Sequence, residues 1–273
     1  MRSRGILFGL GYSAGPPEIK LNGSINDVKN MAEYLSNTFD MPLDIYTDET
    51  GPQNTTRMAM IKSLYEFALR SFSDDLEFAW IHYSGHGSYV RDLNGDERDG
   101  RDECIVPSDF AAVGLVPDDI MESLFRHFNP DTRVVCIFDC CHSGTVGDVK
   151  YSWESPSRVR VENILCEVRA PFITLSASMD NQIAYEILTN KEYHGAMTYC
   201  LLMVLKDPNN KDADIFQILE EVRKKLKEIK VYQKPQLCST YNLAKKRQFL
   251  PPLLEDKAGA SKQKQSVKIS GIR

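Results

Sequence analysis

The stretch from Val134 to Gly144 constrains this chain more than any other. Val134-Val135-Cys136-Ile137-Phe138 is an unbroken run of mostly β-branched and aromatic residues, the composition of a strand buried on both faces of a parallel sheet. It gives way at once to Asp139-Cys140-Cys141-His142-Ser143-Gly144, reactive and small residues where a loop should begin. Open α/β sheets place their active sites at such strand ends. Successive side chains of an extended segment alternate in direction, so Asp139 and Cys141 share one side and Cys140 points to the other.

A second stretch has the same form. Glu77-Phe78-Ala79-Trp80-Ile81 runs into His82-Tyr83-Ser84-Gly85-His86-Gly87. If the two strands lie side by side, the thiol of Cys141 and the imidazole of His86 meet at one rim. A thiol needs a base to become a thiolate near neutral pH, and the same imidazole can then protonate a leaving amine. The glycines flanking His86 leave room for a substrate backbone and free an N–H for an oxyanion.

Together, His-Tyr-Ser-Gly-His-Gly and Asp-Cys-Cys-His-Ser-Gly, with His86 and Cys141 about 55 residues apart, resemble the catalytic signature of the metacaspases, within the caspase-like cysteine peptidases. The resemblance covers about residues 5 to 250. It implies an α/β fold, a central, mostly parallel β-sheet flanked by helices on both faces. It also implies an endopeptidase in which Cys141 attacks the scissile carbonyl, His86 gives acid–base help, and the N–H groups of Gly87 and Cys141 hold the oxyanion. Each residue alone reads otherwise: a single cysteine is usually a small core residue, and a single histidine usually a structural one. The alternative from another class is a non-catalytic caspase-like scaffold or regulatory protein, against which the intact pair counts.

Leu21-Asn22-Gly23-Ser24-Ile25-Asn26-Asp27 precedes a helical pattern through Met31, Tyr34 and Leu35. Asn26 or Asp27 can cap that helix. The resemblance implies instead that Asp27 works with Asp139 at the base of a pocket for the residue before the cut, with Ser84 lining it. Two converging carboxylates favour Arg or Lys and disfavour an Asp- or Asn-specific relative. Ser24 stands where many metacaspases carry cysteine, a departure not expected to alter the main mechanism.

The stretch 91–103 is rich in acids, but the glycine an EF-hand needs at loop position 6 is Glu97, and Glu103 leads into the strand-like Cys104-Ile105-Val106. An EF-hand is rejected. The resemblance implies a Ca²⁺ site of another design, activating rather than part of the chemical step, with Asp102, Asp118, Asp119 and Asp148 as ligands. Carboxylate oxygens suit such a hard cation. A solvated acidic loop, with Asp118 and Asp119 at the start of a helix from Ile120 to Phe128, remains the other reading. Zinc is rejected, because adjacent Cys140 and Cys141 diverge and no CxxC or HxxxH spacing occurs.

The 273 residues suffice for a substantial core. Residues 1–254 read as a single catalytic domain: a larger region over about 1–150, a junction loop over about 146–170 and a smaller region over 170–254. Residues 255–273 read as a mobile tail. Lys150, Arg158, Arg160 and Arg169 near the junction make self-cleavage an expectation. A net charge of −5 argues against a nucleic-acid surface, and no apolar stretch approaches the length of a membrane span. Seven cysteines without small-domain spacing indicate thiols in a reducing cytoplasm, and the short apolar N-terminal run is no signal peptide. The expected partners are protein or peptide substrates, and the resemblance implies a monomer. Helices are also expected over Thr55 to Phe72, with Met58, Ile61, Leu64, Tyr65 and Ala68 inward, from Gly195 through Leu205, and over Ile215 to Ile229.

Overall fold

Short apolar runs and longer amphipathic segments alternate along the chain, and each folds accordingly. The computed structural model describes residues 1–49, 51–92, 100–141, 149–178, 184–245 and 247–251. The first half runs β1 (Ser3–Gly9), α1 (Ser24–Phe39), β2 (Leu43–Thr47), α2 (Arg57–Ser73), β3 (Phe78–Ser84), β4 (Gly87–Arg91), β5 (Arg101–Ile105), α3 (Phe110–Val113), β6 (Val116–Pro117), α4 (Asp118–Phe125) and β7 (Arg133–Asp139). The second half adds β8 (Tyr151–Ser155), β9 (Arg158–Val161), β10 (Phe172–Ser176), β11 (Glu186–Thr189), β12 (Glu192–Gly195), α5 (Ala196–Lys206), α6 (Ile215–Glu228) and β13 (Gln236–Ser239).

Eight strands form one sheet in the order β2-β1-β3-β7-β10-β13-β8-β9. The first five are parallel, whereas β13, β8 and β9 continue antiparallel. The chain leaves β1 towards β2 on one side and, through β3, towards β7 on the other. That reversal opens a crevice at the C-terminal strand ends, the usual ligand position in open α/β sheets.

Side-chain alternation divides the interior in two. Val135 and Ile137 of β7, with Phe78 and Trp80 of β3, pack beneath α1, α5 and α6. Val134, Cys136, Phe138 and Cys140, with Ala79, Ile81 and Tyr83, pack against α2 and α4 on the other face. The strands are hydrophobic on both sides because both are covered. Helix α6 is fixed at its start by a capping box in which Asp214 and Gln217 bond each other's backbone N–H.

Some local expectations are corrected. The stretch expected to be loop over 146–170 contains the β8–β9 hairpin, whose strands extend the main sheet. The segment Gln233 to Ser239 was expected just before the last strand but contains that strand, β13. In α2 the inward residues are Met60, Leu64, Phe67 and Ala68, while Met58 and Tyr65 are exposed. Leu64 and Ala68 are inward as expected and Ile61 packs at the edge of the core, but the apolar set of α2 spreads around the helix, so spacing alone misplaced Met58 and Tyr65. Helix α4 begins at Asp118 rather than Ile120, which places Asp118 and Asp119 inside its first turn. The expected tail over 255–273 lies outside the described residues.

Candidate active site

Strands β3 and β7 are adjacent and parallel, with Ser84 opposite Asp139. Their C-terminal ends are tied where the sheet stops, since Gly85 N–H donates to the Asp139 carbonyl at 3.3 Å. Beyond these ends come His86–Gly87 from one strand and Cys140–Cys141 from the other. Cys140 is buried in the α2/α4 core. Cys141 is half-buried, so the two thiols diverge as the strand period requires.

Gly87 fits this junction because it lacks a side chain: a Cβ there would collide with the Cys141 carbonyl oxygen. The Cys141 Sγ accepts from the Ala184 N–H at 3.1 Å. Burial pushes the Cys141 thiol above its ordinary value, the Ala184 N–H opposes this, and the negative charge of Asp139 adds to it. In this arrangement Cys141 is a neutral thiol awaiting a base.

His86 is held from several directions. Its Nε2 lies 2.7 Å from the Ile19 carbonyl, which can only accept, so Nε2 carries the proton and Nδ1 keeps its lone pair. The His86 N–H donates to the Tyr12 hydroxyl at 2.9 Å, and the Tyr83 hydroxyl donates to the His86 carbonyl at 2.7 Å. The Tyr12 ring packs against the imidazole, tilted by 37° with centroids 4.7 Å apart. Burial raises both phenols, which stay neutral donors. This tyrosine clamp escaped the sequence reading, because Tyr12 lies in no motif and Tyr83, although inside the His-Tyr-Ser-Gly-His-Gly stretch, was given no role of its own.

Asp27, Ser84 and Asp139 come together on the α1/α5 side. The Ser84 hydroxyl donates to Asp27 Oδ2 at 2.8 Å. Gly195 N–H, just before α5, donates to both Asp27 oxygens at 3.0 and 2.9 Å. Thr198 N–H, in the first turn of α5, donates to Asp139 Oδ2 at 2.7 Å, an arrangement the helix dipole favours. Neither Asp27 nor Asn26 caps α1, whose N-cap is Gly23; the Asn26 amide donates to the Tyr193 carbonyl at 2.9 Å. Ser24 is buried at the start of the same helix.

Both acids titrate high. Burial raises Asp27 well above the carboxylate range, with repulsion from Asp139 next. Burial raises Asp139 to about 6, against the opposing Thr198 bonds. A third carboxylate, Glu186, adds to both shifts and accepts from the N–H groups of Asn22 and Gly23 at 2.9 and 2.5 Å. Among the described residues no Lys, Arg or His forms an ion pair with Asp27 or Asp139. Gly195, Thr198 and Glu186 were missed, because only the fold brings the β11–β12 hairpin and α5 against α1. His82, two residues before Ser84, is fully buried with Nε2 3.4 Å from Thr198 Oγ1, and Nδ1 has no partner among the described residues.

Asp102 and Asp118 are buried and both act on the Cys104 thiol, which burial above all, then these acids, pushes up to about 12. Asp118 accepts from the N–H groups of Glu103 and Asp119 at 3.1 and 3.0 Å. Asp119 is exposed in the first turn of α4. Glu103 lies within β5, with no exiting helix of the EF-hand kind. Asp148, with His142, lies outside the described residues. Among the described residues no three His, Cys, Asp or Glu side chains form a metal-holding group. Buried oxygen donors at Asp102 and Asp118 nevertheless fit a hard cation in chemistry.

The caspase domain family model matches residues 8–246. Metacaspase-1 of Sclerotinia sclerotiorum is 28% identical, over 93% of this chain and 68% of that protein. Metacaspase-1 of Ajellomyces capsulatus is 28% identical over 89% and 81% respectively, and that of Saccharomyces cerevisiae 27% over 91% and 69%. The crystal structure of a Geobacter sulfurreducens protein superposes with a TM-score of 0.60 at 22% identity, covering 88% of this chain and 93% of that one, a likeness of fold.

Proposed function

The chain belongs to the caspase-domain family of cysteine peptidases and is metacaspase-like, and from that premise we propose that it cuts protein chains after Arg or Lys. One observation carries the specificity: two buried carboxylates, Asp27 and Asp139, converge at the strand ends beside Cys141, and among the described residues no cation is paired to them. Burying such a pair is unfavourable without a counter-charge, and a substrate's guanidinium or ammonium supplies one. Ser84 positions Asp27, and Glu186 adds negative charge at the mouth.

In the reaction, Cys141 Sγ passes its proton to His86 Nδ1 and attacks the scissile carbonyl carbon. The N–H groups of Gly87 and Cys141 hold the resulting oxyanion, each such donor contributing on the order of 3 kcal/mol. The C–N bond then breaks as His86 returns the proton to the leaving amine. Water, deprotonated by His86, releases the acyl group from sulfur.

Asp102, Asp118, Asp119 and Asp148 would hold an activating Ca²⁺ that takes no part in these steps. It would supply counter-charge to the buried carboxylates and would link the segment after His86 to the one after Cys141. Self-cleavage falls at Lys150 or Arg169, which lie outside regular strands, rather than at Arg158 or Arg160 inside β9. The enzyme works as a monomer, since β8 and β9 cover β13 and end the sheet with an arginine-bearing edge. Among the described residues no helix is long and apolar enough to cross a membrane.

Fluorogenic peptides ending in Arg, Lys, Asp or Asn, with calcium or chelator and alongside Cys141→Ala, test this reading. Calcium-dependent release after Arg and Lys, lost in the variant, is expected. Release after Asp or Asn contradicts the pocket, and full activity in chelator contradicts the calcium role.

A further inference from the structure

At the far end of the sheet, the β8–β9 hairpin, α6 and the segment entering β13 enclose a cavity of about 400 Å³, within the range of small-molecule sites. Strand β9 lies four strands beyond β7, roughly 19 Å at the ordinary strand spacing, so this is not the peptidase cleft. The lining carries four cations, Arg158, Arg160, Arg223 and Lys234, against one carboxylate, Glu154. The whole chain has a net charge of −5, so this concentration of positive charge runs against the background.

The single acid is already shared. Glu154 meets Arg158 at 3.3 Å and Lys234 at 3.7 Å. Arg223 is half-buried and donates to the Pro235 carbonyl at 2.8 and 3.2 Å and to the Glu154 carbonyl at 3.3 Å. Among the described residues no carboxylate forms an ion pair with Arg223 or Arg160. Burial lowers the Arg223 pKa, while the charges of Glu220 and Glu154 oppose the shift without pairing with the guanidinium. Ser157 and Gln236 add neutral hydrogen-bonding groups. The one aromatic lining residue, Trp153, is buried against Phe216 with its N–H given to Ser239 at 2.8 Å. It offers no platform for a nucleobase.

We propose that this cavity binds a small phosphate-bearing anion, gripped by Arg158, Arg160, Arg223 and Lys234. Guanidinium forks match phosphate oxygens bidentately, and the lysine adds a point charge. The inference does not depend on the peptidase specificity.

Calorimetric titration of the full chain with pyrophosphate at fixed ionic strength tests it. Saturable one-to-one binding is expected. Arg158→Gln with Arg160→Gln, both exposed positions, should weaken it roughly a hundredfold, about tenfold per guanidinium. Lys234→Gln should weaken it independently. No saturable binding at millimolar pyrophosphate, or affinity unchanged in these variants, overturns the proposal. Binding of oligoglutamate or a phosphoserine peptide without binding of pyrophosphate overturns it as well.

Discussion

Gly195 donates its one N–H to both carboxylate oxygens of Asp27, at 3.0 and 2.9 Å. A Cβ at this position would lie 2.6 Å from Asp27 Oδ2 and collide with Asp139 Oδ2. The acid pair therefore occupies the space a side chain at 195 would fill. Gly195→Ala should push the carboxylates apart, cost about 1–3 kcal/mol as overpacking does, and raise KM for Arg peptides more than it lowers kcat. Urea unfolding and steady-state kinetics check both. An alanine variant with wild-type KM would separate Gly195 from the pocket.

The Asp139 carboxyl titrates at about 6 in the fold against 3.8 unfolded. The native state holds this proton longer, so its stabilising effect is complete below pH 3.8 and is lost as pH rises to about 6. The full difference is about 3 kcal/mol. Asp139→Asn keeps an acceptor for Thr198 and removes the buried charge. It should therefore be more stable than the parent at pH 7.5 while losing cleavage after Arg. A less stable asparagine variant would mean that the charge is already compensated.

His82 works in the opposite sense. Burial lowers it from 6.5 to about 3, so its contribution to stability is present above pH 6.5 and lost as pH falls towards 3, roughly 5 kcal/mol over the full window. His82→Leu should flatten the acid limb, retaining more of its neutral-pH stability at pH 4.5 than the parent does. Parallel pH profiles for the two proteins would contradict this.

Because burial raises the Cys141 thiol above 9.0, iodoacetamide should modify it more slowly than free cysteine at pH 7.5. The rate should climb above pH 9. A rate already level by pH 7 would indicate a preformed thiolate–imidazolium pair.

The strand ends were legible because their chemistry is contiguous. An apolar run stops, reactive residues begin, and the two-residue period separates Cys140 from Cys141. Helix α6 was legible from its amphipathic spacing and α5 from its resemblance to the family's smaller region, whereas in α2 exposed Met58 and Tyr65 mimicked an inward stripe. The β8–β9 hairpin was hidden because Arg158 and Arg160 alternate with Val159 and Val161 on an exposed edge, which reads as solvated chain. The hold of Tyr12 on His86, and the closure of the acid pocket by Gly195 and Thr198, depend on contacts between segments 59 to 168 residues apart. No local pattern encodes them.

The most direct measurement compares kcat/KM for an Arg peptide with that for its citrulline counterpart, which keeps the shape and loses the charge. At pH 7.5 the parent should prefer Arg about a hundredfold, the scale of a lost charge-assisted pair. Asp27→Asn should collapse that ratio towards one. Equal cleavage of both peptides by the parent, or an undiminished preference in Asp27→Asn, would contradict selection by the buried acid pair.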